Sequence, residues 1–328
     1  MRITAAALSQ FQSVPLGEVQ TLDLSNKNID YIADISNCID LRKLNLSKNA
    51  LASTEAIQGI LDLTSLTWLN LAHNQLPKCD VIRYMSRLTV LNISHNQLNR
   101  VPLTITSCPD IKALILNHNQ IVAVEHVGDL PQLATLVLSH NRIETLPPLK
   151  RNTALIKLSV AHNAIRTIPD FSHLTQLKEL RLNDNKIMAI PDTLGKCLAL
   201  EILDLGNNFI SEWGEITKLA VLKRLVNLNL KGNSLCDHPN YRDLVLQHLP
   251  HLRILDGVRF DPKFLQRKQK RFEQQRETTT TKRQAPVEEG STSPSDAGKK
   301  HRRPRDTSER SRPYPRKGFT YRKPKRQY

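Results

Sequence analysis

The chain repeats one short pattern of leucine and asparagine nine times, and this repetition constrains its fold more than any other feature. With Ile or Val accepted for Leu, the pattern L-x-x-L-x-L-x-x-N-x-L fits residues 41–51, 66–76 and 88–98, and further copies begin at Ile111, Leu133, Leu155, Leu177, Leu200 and Leu225. The pattern asparagines follow one another at intervals of 22 to 25 residues. An imperfect copy begins at Val19, with Lys27 in place of the asparagine. Such a period is typical of solenoids, in which stacked coils share one core.

The spacing within the pattern predicts how each coil is built. Leucines at pattern positions 1, 4, 6 and 11 point into the solenoid, while the residues between them on a short strand point outward. The asparagine amide satisfies backbone groups in the tight turn that follows the strand. We therefore expect an α/β repeat fold in which about ten coils over residues 19–235 place parallel strands along a concave face. An N-terminal cap over 1–18 and a C-terminal cap over 236–261 are expected to close the ends.

The segment from Asn233 to Gly257 departs from the pattern in a way that predicts the closing cap. Pro239 is suited to begin a helix, and Tyr241, Leu244, Val245, Leu246 and Leu249 give that helix an apolar face. Its form, N-x-L…Y-R…L-P-x-L-x-x-L-D, together with the 22-residue coils, resembles the phosphatase-regulator type of leucine-rich-repeat protein over about residues 19–257. Similar caps occur in a spliceosomal leucine-rich-repeat protein and in several axonemal proteins. The resemblance implies a leucine-rich-repeat solenoid, or horseshoe, whose concave face binds a protein.

The cysteines and the hydropathy of the chain exclude several classes of protein. The five cysteines are odd in number and form no C-x-x-C pair, which argues against a disulfide framework and a zinc site. Cys38, Cys108 and Cys197 each lie three residues before a pattern copy, and we expect them to be buried in the convex segments. No apolar run approaches the roughly 20 residues of a membrane-spanning helix. The first residues, MRITAAALSQF, are expected to form a capping helix rather than a targeting signal.

Residues that the pattern leaves free on the strands are the candidates for binding. An apolar strip is predicted across five adjacent coils, with lysines beside it and an arginine in the next coil. The protein-binding candidates are Trp68, Val90, Lys112, Ile115, Val137, Ile156, Lys157 and Arg181, with Ala113 also in the strip. An exposed apolar patch with polar residues around it usually marks a partner site. The alternative interpretation is that β-branched residues simply suit strands.

Five consecutive coils carry histidine directly before the pattern asparagine. These residues are His73, His95, His118, His140 and His162. A line of imidazoles could bind metal or respond to pH. Because small polar residues are ordinary before the repeat asparagine, we favour a structural role, and we expect neither a metal nor a cofactor. The sequence also has no Gly-rich phosphate loop, nucleophile elbow or H-E-x-x-H helix, so we expect a protein without catalytic residues.

The C-terminal part of the chain differs sharply from the repeats in charge. Residues 1–261 contain 26 Lys and Arg against 24 Asp and Glu, whereas residues 262–328 contain 21 against 7. Leu265 and Val287 are the only branched aliphatic residues of this second part, so it cannot build a core. We expect a basic helical extension over 262–277 and a disordered basic tail over 278–328.

The end of the tail combines positive charge with aromatic rings. The nucleic-acid-binding candidates are Lys299, Lys300, Arg302, Arg303, Arg305, Arg312, Tyr314, Arg316, Lys317, Phe319, Tyr321, Arg322, Lys323, Lys325 and Arg326. Cationic side chains neutralise phosphates and aromatic rings stack on unpaired bases, so the mixture suits RNA or another single-stranded nucleic acid. An acidic protein is the alternative partner, and a passive solubilising role is a third possibility.

These features lead to one leading hypothesis and one rival. The leading hypothesis is a non-enzymatic scaffold in a ribonucleoprotein, RNA-processing or ribosome-related complex, a monomeric subunit that binds protein by its concave face and RNA by its tail. The motif 299–305 resembles a nuclear-localisation signal, which favours the nucleus or nucleolus, with the cytoplasm as the alternative. The rival is a regulatory subunit of a type-1 protein phosphatase or of a cytoskeletal or axonemal assembly.

Overall fold

The computed structural model describes residues 1–11, 14–260 and 270. All the elements named below belong to the first of two compact units, Met1–Thr279. The α-helices are α1 (Ala5–Phe11), α2 (Trp213–Thr217) and α3 (Tyr241–His248). The strands, in chain order, are β1 (Arg2–Ile3), β2 (Thr21–Asp23), β3 (Tyr31–Ile32), β4 (Lys43–Asn45), β5 (Trp68–Asn70), β6 (Val90–Asn92), β7 (Ala113–Ile115), β8 (Thr135–Val137), β9 (Lys157–Ser159), β10 (Glu179–Arg181), β11 (Ile202–Asp204), β12 (Asn227–Asn229), β13 (Ile254–Leu255) and β14 (Val258–Arg259). The predicted basic extension, apart from Lys270, and the predicted tail lie outside the described residues.

A single 12-stranded sheet runs along the solenoid. Each pattern copy contributes one three-residue strand, and β2, β4 to β12 and β13 pair in parallel in the order of the sequence. Equivalent pattern positions face one another in this register, so that Leu44 lies beside Leu69 and Leu69 beside Leu91. The last strand, β14, pairs antiparallel with β13 and ends the sheet. The prediction of stacked coils with a parallel sheet is confirmed.

The pattern leucines form one continuous core. In the coil that begins at Leu41, the residues Leu41, Leu44, Leu46 and Leu51 are completely buried, and the equivalent positions of the later coils are buried in the same way. Because one coil is too thin to enclose its own apolar side chains, this burial depends on the neighbouring coils.

The pattern asparagines join each coil to the one before it. The Asn119 side chain accepts a hydrogen bond from the Leu98 N–H at 3.0 Å, and its amide donates to the Ile93 carbonyl of the preceding coil at 3.0 Å. The same amide also donates to the Leu116 carbonyl of its own coil at 3.0 Å. Equivalent bonds recur at the other pattern asparagines, so this column satisfies backbone groups that the turns would otherwise bury without a partner.

The two ends of the solenoid differ from the coils between them. Lys27 stands in the first coil, where a pattern asparagine would have no earlier coil to bind, and its own N–H donates to the Asn49 side chain at 3.0 Å. At the other end Asp256 continues the third residues of the strands after Asn229, and its carboxylate accepts a hydrogen bond from the Leu230 N–H of the preceding coil at 2.8 Å. The pattern asparagine is therefore absent from the first coil, which has no earlier coil beside it.

The convex segments are short, because a coil of 22 to 25 residues leaves little chain outside its strand and turns. Most of them contain a 3₁₀ helix, which occupies fewer residues per turn than an α-helix. These helices span Glu55–Ile60, Asp80–Tyr84, Leu103–Ser107, Val127–Asp129, Asp192–Lys196 and Lys218–Val221, and further short ones lie at Leu16–Glu18 and Ser234–Asp237. Cys38, Cys108 and Cys197 are buried here, as predicted. Burial raises the pKa of Cys108 and of Cys197 to about 11, so both thiols stay protonated at neutral pH.

Both ends of the described chain carry covering segments. The N-terminal segment, predicted to be a capping helix, contains α1, whose Leu8 is completely buried. At the C-terminal end α3 buries Tyr241, Val245 and Leu246. This helix begins at Tyr241 rather than at Pro239, because Asn240 has φ −107° and ψ 20°, outside the helical range.

Candidate binding surface of the parallel sheet

Two rows of side chains point away from the core of the sheet. In each three-residue strand the central leucine is buried, as in β5, where Leu69 is buried and Trp68 and Asn70 are half-buried. We call the first residues of these strands the first row and the last residues the third row. Together the two rows form the sheet face, which the sequence predicted to be concave. Register between strands, rather than distance along the chain, decides which residues of a row become neighbours.

The predicted apolar residues form a diagonal strip on this sheet face. In the first row Trp68 lies beside Val90 and Val90 beside Ala113. In the third row Ile115 lies beside Val137. The two groups meet on β7, which carries both Ala113 and Ile115 on the same face. All five side chains are half-buried by their neighbours, so the strip is continuous but less exposed than the sequence suggested.

Two predicted residues lie beside the sheet face rather than on it. Lys112 and Ile156 come directly before β7 and β9, and both are exposed. Ile156 is 40% exposed, and its N–H donates to the Ala134 carbonyl. The structure therefore separates Ile156 from the apolar strip, which ends one strand earlier at Val137.

The predicted basic residues Lys157 and Arg181 share one acidic partner. Lys157 Nζ lies 3.0 Å from Glu179 Oε1, and the Arg181 guanidinium donates a hydrogen bond to the same oxygen. Burial by itself raises the pKa of Glu179, but the hydrogen bonds and charges of Arg181 and Lys157 outweigh it and lower that pKa. The strip is thus bordered on this side by an ion-paired cluster of two cations and one carboxylate, with a net positive charge.

A turn hydrogen bond distinguishes the third row of six coils from that of the four coils that carry Ile115, Val137, Ser159 and Arg181. The side-chain oxygens of Asp23, Asn45, Asn70, Asn92, Asp204 and Asn229 each accept a hydrogen bond from the backbone N–H two residues further on. This bond stabilises the turn after the strand. Ile115 and Val137 occupy the same position and cannot form it. The fold alone therefore does not explain why these two residues are apolar.

A hollow lies at the N-terminal end of the strip, next to the indole of Trp68. It has a volume of about 310 Å³ and is lined by Thr21, Leu22, Asp23, Lys43, Asn45 and Trp68. Here the sheet face offers an aromatic surface, one acidic and one basic side chain within the same concavity. Trp68 was a binding candidate from the sequence, whereas the other lining residues, which come from the two preceding coils, were not.

The predicted histidine column is a stack of rings. The ring centroids of His73, His95, His118, His140 and His162 follow one another at 3.9, 4.1, 4.0 and 4.0 Å, with the ring planes nearly parallel. Partial burial lowers the pKa of His95 and of His140, and the neighbouring imidazoles lower both further. Within residues 1–11, 14–260 and 270, no group of three or more His, Cys, Asp or Glu side chains could hold a metal ion.

The backbone explains why this position favours histidine and other small polar residues. All five histidines have φ between 52° and 57°, in the left-handed region, and so do Asn26, Lys48, Asp184 and Asn207 at the equivalent position of other coils. His, Asn and Asp enter this region more readily than most residues. In the tenth coil the position is Gly232, with φ +82°, where an added Cβ would lie 2.0 Å from the Asn207 side chain. The left-handed backbone conformation therefore explains why histidine, asparagine, aspartate and glycine recur at this position.

The nucleic-acid-binding candidates between 299 and 326 lie outside the described residues. None of the helices in the part of the chain that the structure describes has the length and apolarity that a membrane crossing requires.

Comparisons with known proteins agree with this geometry. A family described as "Leucine-rich repeat" matches residues 152–285, and a second one of the same description matches residues 87–108. Among solved structures, a leucine-rich-repeat protein of Leptospira interrogans aligns with a TM-score of 0.59 at 26% identity, covering 72% of this chain and 66% of that one. TLR13 in its complex with ssRNA13 aligns with a TM-score of 0.62 at 26% identity, covering 78% and 38%. The chain folds as a leucine-rich-repeat solenoid.

Curated relatives match only short parts of the chain. Leucine-rich repeat-containing protein 51 of Macaca mulatta is 46% identical over 57 residues, which are 17% of this chain and 30% of that protein. Dynein axonemal assembly factor 1 of Peromyscus californicus is 41% identical over 71 residues, 21% of this chain and 11% of that protein. An acidic leucine-rich nuclear phosphoprotein 32-related protein of Plasmodium falciparum is 33% identical over 57 residues, 17% of this chain and 20% of that protein. The chain thus spans less than a third of the length of these relatives.

Proposed function

We propose that this leucine-rich-repeat solenoid is a non-enzymatic interaction scaffold whose protein partner binds the sheet face along β5 to β8. The observation that carries the proposal is the third row, where Ile115 and Val137 replace the turn-stabilising Asn or Asp of six other coils. A residue that gives up a favourable local hydrogen bond without being needed for the core is better explained by a contact outside the chain.

The surroundings of these two residues suit a protein partner. The apolar strip supplies a water-excluding centre, and the hollow beside Trp68 can receive an anchoring side chain. Lys157, Glu179 and Arg181 form a polar border on one side. An apolar centre with a polar rim is the usual composition of a protein interface.

The test uses a double variant that suits the fold but not the interface. In Ile115→Asn with Val137→Asn, each new amide can accept the turn hydrogen bond that Asn92 makes with the Ser94 N–H. The tagged full chain and the double variant are compared by affinity purification and quantitative mass spectrometry. We expect proteins recovered with the wild type to be depleted at least about tenfold with the variant, which corresponds to about 1.4 kcal/mol of binding free energy.

Leu198→Asn, at a residue that is 61% exposed and follows a convex 3₁₀ helix, is the matched control. Equal recovery with wild type and double variant would contradict the proposal.

For the tail we propose RNA as the partner and the nucleus or nucleolus as the location. The support is compositional, since residues 262–328 contain 21 Lys and Arg against 7 Asp and Glu and carry aromatic side chains among the cations near the end. Crosslinking of the full chain to RNA in cells is compared with that of a chain lacking residues 299–328. Unchanged RNA recovery after the deletion would reject this role, and RNase-resistant recovery of acidic proteins through the tail would favour the acidic-partner alternative.

The rival proposal is a regulatory subunit of a type-1 protein phosphatase or of an axonemal or cytoskeletal assembly. It is supported by the cap resemblance and by the short similarity to dynein axonemal assembly factor 1. Recovery of a phosphatase catalytic subunit that is lost on Trp68→Ala would favour the phosphatase form of this rival. A flagellar signal of the tagged chain would favour the axonemal form.

A further inference from the structure

A second hollow, separate from the one beside Trp68, brings two arginines together at the edge of the sheet. It has a volume of about 240 Å³ and is lined by Asp40, Arg42, Ser65, Thr67 and Arg87. These residues come from three consecutive coils, and Arg42 and Arg87 are 45 positions apart in the chain. Only the stacking of the coils makes them neighbours.

The two guanidinium groups have no acidic partner in the described part of the chain. The arginines that form ion pairs there are Arg151, with Asp129, and Arg181, with Glu179. Arg42 and Arg87 are both exposed, and although Asp40 lines the same hollow it pairs with neither. Two arginines against one acid leave the hollow with a net positive charge.

The hydroxyl groups of the hollow have different roles. Thr67 Oγ1 donates to the Arg42 carbonyl at 3.2 Å and thereby helps to fix the backbone of the coil that carries Arg42. The Ser65 hydroxyl has no hydrogen-bond partner among the described residues and is available to a ligand. Two guanidinium groups and one hydroxyl are donors of the kind that bind the oxygens of a phosphate group.

The hollow also adjoins the candidate binding surface. Arg42 directly precedes Lys43, and Thr67 directly precedes Trp68, where Lys43 and Trp68 line the hollow of the sheet face. A peptide that places a side chain against Trp68 would therefore pass close to Arg42. The two hollows can be occupied by neighbouring residues of one segment.

From this arrangement we propose that the hollow of Arg42, Ser65 and Arg87 binds a phosphate monoester, carried by a phosphorylated side chain of the protein partner. The identity of the carrier rests on the proposed function, whereas phosphate binding itself does not. Asp40 weakens the site by repulsion, so its removal should strengthen binding, while loss of either arginine should weaken it.

The test follows the Nε–Hε signals of the arginine side chains in the full chain by NMR. Inorganic phosphate and O-phospho-L-serine are the probes, and Arg42→Gln and Arg87→Gln assign the two signals. We expect both signals to shift on titration with either probe, and we expect Asp40→Asn to increase the affinity. Each arginine variant should reduce the affinity at the remaining signal about tenfold, the value of one charge-assisted hydrogen bond. Arg166→Gln, at an exposed arginine outside the hollow, is the matched control.

The outcomes separate the parts of the inference. Shifts at Arg42 and Arg87 no larger than at Arg166, or no gain in affinity on Asp40→Asn, would overturn the phosphate site. Binding of inorganic phosphate without O-phospho-L-serine would overturn the phosphorylated partner as its source. Phosphate binding that survives Ile115→Asn with Val137→Asn, while protein recovery also stays unchanged, would support the phosphate site and reject the proposed function of the sheet face.

Discussion

Two neighbouring columns of the solenoid look equally regular in sequence and are physically different. The asparagine column is buried or half-buried, and each amide bonds to backbone groups of two coils, as Asn119 does. The histidine column lies one residue earlier, and four of its five rings are exposed while His95 is half-buried. In the first column the side chain is required by the hydrogen bonds of the turn. In the second the backbone conformation restricts the choice of residue, and the rings interact with one another, and at His162 with Asp184, rather than with the backbone of the turn.

This difference shows that recurrence in a repeat protein is not evidence of function by itself. The other coils fill the histidine position with Asn26, Lys48, Asp184, Asn207 and Gly232, all with positive φ. The sheet face behaves in the opposite way, because there the apolar departures from recurrence, Ile115 and Val137, are the informative residues. Both conclusions can be tested by changing single positions of neighbouring columns.

The largest effect is expected when the asparagine column is interrupted. Asn119→Ala leaves the Leu98 N–H without its partner, while the Ile93 and Leu116 carbonyls keep the amides of Asn96 and Asn141. An unsatisfied buried N–H costs about 1–3 kcal/mol and each lost amide hydrogen bond about 1 kcal/mol, so we expect the free energy of unfolding to fall by about 3 kcal/mol. Urea unfolding followed by circular dichroism measures this loss. Asn117→Ala, in the same coil but with a half-exposed side chain, should change stability by less than about 0.5 kcal/mol.

A smaller effect is expected at the histidine column, and it should depend on the backbone rather than on the ring. His118→Val places a β-branched residue at φ 54° and should reduce the free energy of unfolding by about 1–2 kcal/mol. His118→Asn should be nearly neutral, because asparagine occupies this conformation at residues 26 and 207. If both variants lost the same stability in urea unfolding, ring stacking rather than backbone conformation would be the main contribution.

The third prediction concerns pH. Because the folded-state pKa values of His95 and His140 are lowered, the unfolded chain takes up protons first as pH falls. Their contribution to stability is therefore full above the ordinary pKa of about 6.5 and decreases as pH falls from there to the lowered folded values. The charged groups facing them are His73, His118 and His162, whose protonation adds repulsion, and Asp184, which opposes it at His140.

This dependence is measured as the difference in thermal midpoint between pH 7.5 and pH 5. The variant His95→Asn with His140→Asn should show a smaller decrease than the wild type. His248→Asn, at an exposed histidine of α3, serves as the control and should leave the decrease unchanged. A decrease in the double variant as large as in the wild type would assign the acid sensitivity to other groups.

The smallest effect on stability is expected on the sheet face. Ile115→Asn with Val137→Asn exchanges half-buried apolar contacts for turn hydrogen bonds of the kind that Asn92 makes at 3.0 Å. These contributions have opposite sign, so the free energy of unfolding should stay within about 0.5 kcal/mol of the wild type. Urea unfolding checks this value. A large loss would mean that the apolar strip belongs to the core and would remove the argument for a binding surface.

The candidate site could be predicted only in part. Trp68, Val90, Ile115 and Val137 were recognisable because the pattern fixes which strand residues point outward. Their diagonal arrangement and the position of Ile156 outside it were not recognisable, since they depend on which strand each residue occupies and on partial burial by neighbours. The pairing of Lys157 was missed for the same reason, because Glu179 comes from the adjacent coil, whereas Glu179 lies two residues before Arg181 in β10.

The sequence by itself determined the coils, their number, their register and their ends. Each pattern leucine and asparagine interacts with its equivalents one period away, so every copy of the pattern specifies the same contacts, and Lys27 marks the first coil, which has no earlier coil beside it. The tertiary structure alone decided the stacking of the imidazoles at about 4 Å and the two hollows beside the N-terminal coils. These features join side chains of neighbouring coils, which are about one period apart in the sequence, and only the stacking of the coils sets the distances between them.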